Sequence, residues 1–268
     1  MMTVLVPTDF SNSAKAAIEY ANMLAKEAEA KIILFHAIPR RGGVLKEIDH
    51  YWTSRNQQRL KRMANALIRN GLPPASVDHK VVHDFPLRKA VNNYLSENNV
   101  NLIVMGAKGE TNDPGVWLGG SAAEMVEHTG LPVITVPIGA KKAKPRQIVY
   151  ASDLQNIERE VLTVASFASQ FGARLHVVHV QTTPPEKALN LTSLQKKLVK
   201  KTGYDNLSVV MLDSPNIEQA VDDYCSANEA DLLVLFKHNR GFFEDLFHRS
   251  ITKSIAYQTK TALLVVKD

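Results

Sequence analysis

Five glycines, Gly106, Gly109, Gly115, Gly119 and Gly120, fall within fifteen residues, with Lys108 among them and Ser121 directly after. Such a stretch has the chemistry to hold an anion. Glycine lets backbone N–H groups approach a ligand with no Cβ in the way, and a helix start adds unsatisfied donors and the positive end of the dipole. Ser121 heads a helical pattern carried by Ala122, Met125 and Val126, which makes it the expected N-cap. Upstream, Leu102 to Met105 is a short apolar run that ends at Gly106. That is the pattern of a buried strand opening at its carboxyl end into a loop, where the ligand crevice of an open α/β sheet lies. By spacing alone the stretch reads equally as a phosphate loop or as an ordinary glycine-rich turn.

The elements that must position it emerge from the apolar periodicity. Val4 to Val6 is a brief strand that stops at Pro7, Thr8 and Asp9, with Ser11 or Asn12 placed to cap the next helix. Ala14, Ala17, Ile18, Ala21, Leu24, Ala25 and Ala28 recur at helical spacing, and Ile32 to Phe35 is the next strand, ending at His36, Ala37 and Ile38. Between about Val44 and Arg69 polarity rises, yet Trp52, Leu60, Met63, Leu67 and Ile68 still recur at helical intervals before Gly71-Leu72-Pro73-Pro74 ends the segment. A strand over Val77 to Val82 and a helix marked by Leu87, Ala90, Val91, Tyr94 and Leu95 lead back to Leu102. Alternation of this kind is the signature of a doubly wound parallel sheet.

After a short basic linker, Gly139 to Pro145, the same order restarts. VLVPTDFSN at Val4 aligns with IVYASDLQN at Ile148, an offset of 144 that sets Asp9 on Asp153. Phe35 aligns with Val178, Leu102 with Leu232 and Leu131 with Thr261, all in the same order. The chain therefore reads as a tandem duplication, with domains over 1–140 and 141–268.

Composition narrows the partners. Among 268 residues Cys225 is the only cysteine, so no intramolecular disulfide forms; a buried thiol and a cytoplasmic location are expected. No run approaches eighteen apolar residues, and the amino end reads as a strand and not a signal, so no membrane association is expected. The net charge of +5 permits an anionic partner. The lysines around Lys141 and around Lys197 are not interleaved with aromatics, which argues against nucleic acid as a partner and makes solvated faces the expected reading.

The amino-terminal strand ending in Pro7-Thr8-Asp9, the His36-Ala37 pair after the second strand and the GxxG…GS loop resemble the universal stress protein family. The resemblance covers the whole chain as two fused copies. It implies two tandem Rossmann-like, adenine nucleotide α-hydrolase-like domains that form a pseudo-dimer by pairing their last strands, Val133 to Val136 and Leu263 to Val266, with a homodimer left open. It also implies a stress-response regulator that binds ATP, ADP or AMP, alone or with magnesium. Nucleotide-binding members carry G-x2-G-x9-G-[ST]; here Gly106 and Gly109 match, whereas Gly119 is followed by Gly120 and the serine comes only at Ser121. Either Gly119-Gly120 is the pair, or the loop holds one extra residue and the pair is Gly120-Ser121, the reading favoured here. Carried over, Asp9 faces the ribose or helps hold a metal, while Pro7, Thr8, Ala37 and Met105 line the base. Gly106, Gly109, Gly120 and Ser121 cradle phosphates, Ala122 offers a further N–H, and Lys108 adds a point charge. Two simpler roles stand beside these: Asp9 as a stabiliser of the following helix, and Met105 as core.

The second copy departs from the pattern. Gly241 is its only glycine between Leu235 and Thr261, and Phe242, Phe243 and Phe247 stand where the first copy has small residues. A backbone cradle is not expected there, although Arg240, His248, Arg249 and Ser250 could meet another anion by their side chains. Two rival functions remain at this level: a slow ATPase or nucleotide-transferring enzyme on the same fold, and an interaction module without nucleotide. No GxxxxGK[ST] pattern occurs, and no nucleophile with its base is legible.

Overall fold

The computed structural model describes residues 1–39, 46–108, 118–182, 190–237 and 260–267, with 46–49 described by backbone alone. The chain forms two compact units, the first closing at Lys142 and the second running on from Ala143.

The first unit runs β1 (Thr3–Pro7), α1 (Asn12–Ala28), β2 (Lys31–Ala37), α2 (Lys46–Arg69), β3 (Val77–Val82), α3 (Leu87–Glu97), β4 (Leu102–Gly106), α4 (Gly120–His128) and β5 (Val133–Val136). Its sheet has the order β3-β2-β1-β4-β5, with every pair parallel. Val4 sits opposite both Ile32 and Leu102, which makes β1 the central strand. Val4, Leu5 and Val6 are all fully buried, as expected where helices cover both faces of a parallel sheet. The chain turns one way from β1 to β2 and the other way to β4. That reversal opens a crevice at the carboxyl ends of β1 and β4.

Helix α1 is built to lie close to the sheet. Ser11 caps it, accepting the Ala14 N–H at 3.1 Å, and Ala14, Ala17, Ala21 and Ala25 form a small-residue stripe around the fully buried Leu24. Burying such a leucine contributes about 2 kcal/mol. In α2, Leu60, Ala64 and Leu67 are buried, but Trp52 departs from the expected stripe and is 39% exposed. Eight residues before Leu60, it sits about 80° around the helix, outside the buried arc; Arg55 lies over its ring at 5.4 Å.

The second unit runs β6 (Gln147–Ala151), α5 (Ile157–Phe171), β7 (Arg174–Gln181), α6 (Leu191–Thr202), β8 (Leu207–Asp213), α7 (Ile217–Ala227), β9 (Leu232–Lys237) and β10 (Ala262–Lys267). Its strands are parallel in the order β8-β7-β6-β9-β10, the order of the first unit repeated. Cys225 is buried in α7, and burial pushes its thiol up to about 12, so it is an inert core residue at neutral pH. No helix among the described residues is long and apolar enough to cross a membrane.

Candidate functional site

The carboxyl ends of β1, β2 and β4 converge with the start of α4 on a cleft of about 150 Å³. Pro7, Thr8 and Asp9 reach it from β1, and Ala37 from β2. Met105, Gly106 and Lys108 reach it from β4, and Ser121 and Ala122 from α4. These nine residues, separated by up to 115 positions in the chain (7 to 122), are thus brought to one place. Gly109 lies outside the described residues, as does Gly115; Gly119 and Gly120 flank the cleft at the start of α4 without lining it. Met105 is 5% exposed and so serves the core and the cleft wall together.

The turn after β1 has a defined hydrogen-bond pattern. Phe10 N–H donates to Thr8 Oγ1 at 3.0 Å, Ser11 N–H donates to Asp9 Oδ1 at 2.9 Å, and Phe10 takes a left-handed φ of 67°. One carboxylate oxygen of Asp9 therefore holds the turn. The other has no hydrogen-bond partner among the described residues. His36 Nδ1 lies 2.7 Å from the Thr8 carbonyl oxygen, which can only accept, so the ring proton sits on Nδ1. Burial, opposed by that bond and reinforced by the positive charge of Arg59, holds the His36 pKa below the usual histidine value, and the ring is neutral at pH 7. Phe10 lies between the two, 4.6 Å from the His36 ring and 3.8 Å from the Arg59 guanidinium carbon.

The N-cap of α4 is Gly119 and not Ser121, which corrects the sequence expectation. Gly119 has extended dihedrals (φ −64°, ψ 157°), its N–H donates to the Ala107 carbonyl at 2.7 Å, and its own carbonyl takes the first helical bond, from Ala123 at 3.0 Å. Glycine at N-cap supplies no side-chain acceptor. Consequently the N–H groups of Gly120, Ser121 and Ala122 have no acceptor among the described residues, and Ser121 stands exposed in the first turn. Free donors at a helix start with the dipole behind them suit a phosphate or carboxylate.

Ser11, Ala14, His36, Phe85 and Leu87 also line the cleft, and the sequence reading gave none of them a ligand role. His36 carried a signal in the His-Ala pair that ends β2. Phe85 and Leu87 carried none, because only the parallel pairing of β3 beside β2 brings the loop after β3 to this end of the sheet. Among the described residues no group of three or more His, Cys, Asp or Glu could hold a metal ion.

In the second unit the turn is duplicated: Leu154 N–H donates to Ser152 Oγ at 3.0 Å, Gln155 N–H to Asp153 Oδ1 at 2.9 Å, and His179 Nδ1 to the Ser152 carbonyl at 2.8 Å. The position of Gly106, however, holds Phe236, which is buried with its ring 5.5 Å from that of Tyr150. The segment with Arg240, His248, Arg249 and Ser250 lies outside the described residues.

The universal stress protein family matches the chain twice, over residues 1–137 and 145–267. Among solved structures, a universal stress protein from Archaeoglobus fulgidus DSM 4304 is similar over 99% of this chain and 98% of its own, with a TM-score of 0.74 at 19% identity. A functionally unknown protein from Pseudomonas aeruginosa PAO1 is similar over 100% of this chain and 92% of its own, with a TM-score of 0.64 at 14% identity. Identities this low speak for the fold alone. None of the curated proteins compared matches the chain. Two successive matches, each spanning one complete alternation of strands and helices, assign the chain to the universal stress protein family as a tandem two-domain member.

Proposed function

We propose that the protein is a cytoplasmic stress-response regulator whose first unit binds an adenine nucleotide, ATP, ADP or AMP, with occupancy and not turnover as its output. The observation that carries the reading is the order of chemistry across the sheet. The β2 side of the cleft is apolar or aromatic (His36, Ala37 and, from beyond β3, Phe85), the middle holds Asp9, and the β4 side holds Gly106, Lys108 and the start of α4. Base, ribose and phosphates follow one another in that order. Neighbouring strands lie about 4.8 Å apart, so the carboxyl ends of β2, β1 and β4 set these groups side by side along the cleft. The free N–H groups of α4 and the dipole behind them would meet the phosphates, and the unpartnered oxygen of Asp9 would accept from a ribose hydroxyl or share a magnesium ion with the nucleotide. Family membership supports the choice of adenine.

Isothermal titration of the full chain with ATP and magnesium, beside mass spectrometry of ligand extracted from fresh protein, tests this. One equivalent per chain is expected. Two would mean that the second unit binds as well, and none would remove the reading.

We also propose that the two halves pair through their final strands, on the strength of their apolar sequences. A 1–140 fragment should then self-associate through Val133–Val136, and a strictly monomeric fragment that still binds nucleotide would count against the pairing.

A further inference from the structure

Of the large hydrophobic side chains left exposed among the described residues, Phe85 alone lines the cleft, with 58% of its surface open. Its loop is held in place. The Asp84 carboxylate accepts the Phe85 N–H at 3.0 Å and the Asn93 amide at 2.7 Å, and it pairs with Lys89 at 3.2 Å. Both carboxylate oxygens are engaged, so the backbone beneath the aromatic ring is tied to the first two turns of α3. A phenylalanine this exposed adds little to the core, yet here it is held on the wall of the cleft. A rigid aromatic with two rotatable bonds loses little entropy when a flat partner covers it.

We propose that Phe85 is the stacking platform for the base, and that it supplies affinity for any nucleotide with a planar heteroaromatic ring. The proposal rests on the nucleotide reading of the cleft. Stacking on a π face tolerates every base, so Phe85 does not choose between adenine and guanine; it separates nucleotides from bare polyphosphates, which reach only the α4 end. Asp84 is a positioning residue that holds the loop and does not touch the ligand.

The test compares the full chain with Phe85→Ala and Phe85→Trp by titration with ATP, GTP and inorganic tripolyphosphate. Phe85→Ala should lower affinity for ATP and for GTP by the same factor, roughly tenfold, with tripolyphosphate affinity and the unfolding temperature of the free protein unchanged. Phe85→Trp should keep ATP affinity, and its fluorescence should change with ATP but not with tripolyphosphate. Equal ATP affinity in wild type and Phe85→Ala would overturn the platform while leaving the nucleotide site. A matching loss for tripolyphosphate would overturn it too, since the ring would then be shaping the whole cleft. A wild-type chain that binds no ATP would remove the site and the platform together.

Discussion

Gly106 and Ser13 occupy one another's space: a Cβ built on Gly106 would lie 2.4 Å from Ser13 Oγ and 2.8 Å from the Ser13 carbonyl carbon. The glycine at the end of β4 is thus required by the approach of α1, whatever it does for a ligand. Gly106→Ala should destabilise the protein by about 1–3 kcal/mol, the usual cost of overpacking. Ser13→Gly should recover only part of this, because the clash with the backbone carbon persists. Chemical denaturation of the two single variants and the double variant measures it; an unchanged midpoint in Gly106→Ala would mean that α1 can shift at no cost.

Gly120 is the opposite case. A Cβ there meets nothing within 4 Å, so a larger residue is expected to leave the fold intact. It would, however, stand beside the free N–H groups that begin α4. Gly120→Val is expected to unfold at the wild-type temperature and to lose ATP binding in the same calorimetric titration. Retained affinity would move the phosphates away from α4.

Asp9 and Asp153 hold the same turn by the same 2.9 Å bond, but only Asp9 lines the described cleft. Asp153→Ala therefore measures the structural part of Asp9→Ala. Both should cost about 0.5–1.5 kcal/mol of stability, and Asp9→Ala alone should also weaken ATP binding by about 1.5–3 kcal/mol, the contribution of a charge-assisted hydrogen bond. Equal effects of the two variants on ATP affinity would reduce Asp9 to a turn residue.

The pH dependence of stability has opposing contributions. Burial, with the charge of Asp223 beside it, raises Asp222 to about 6 from the ordinary 3.8. Between those values the folded state holds a proton that the unfolded chain has released, so this group stabilises as pH falls through 6 and penalises folding above it. His36 and His176, each lowered chiefly by burial, act the other way: the unfolded chain takes up protons first, and stability is lost as pH falls below about 6.5. Asp222→Asn should therefore be more stable than wild type at pH 8, with the difference closing as pH falls from 6 towards 4. Parallel stability curves for the two proteins would assign Asp222 an ordinary pKa.

The alternation of strands and helices, the duplication and most of the cleft are legible in the residues, because apolar periodicity and turn chemistry are local properties. Val77–Val82 is placed to the residue, Ser11 is one of the two residues marked as a cap, and Asp9, Ala37 and Met105, at or just past the ends of their strands, mark the crevice. Three features depend on the third dimension. Gly119 displaces Ser121 as N-cap because its N–H is anchored to the Ala107 carbonyl, a bond that no spacing reveals. The need for glycine at position 106 comes from Ser13, 93 residues away (106 − 13), through the packing of α1 on β4. Phe85 joins the cleft only because β3 lies parallel beside β2 and delivers its following loop to the same end of the sheet. Long-range approach of this kind is set by strand order and helix packing, and the sequence around each of these residues carries no trace of it.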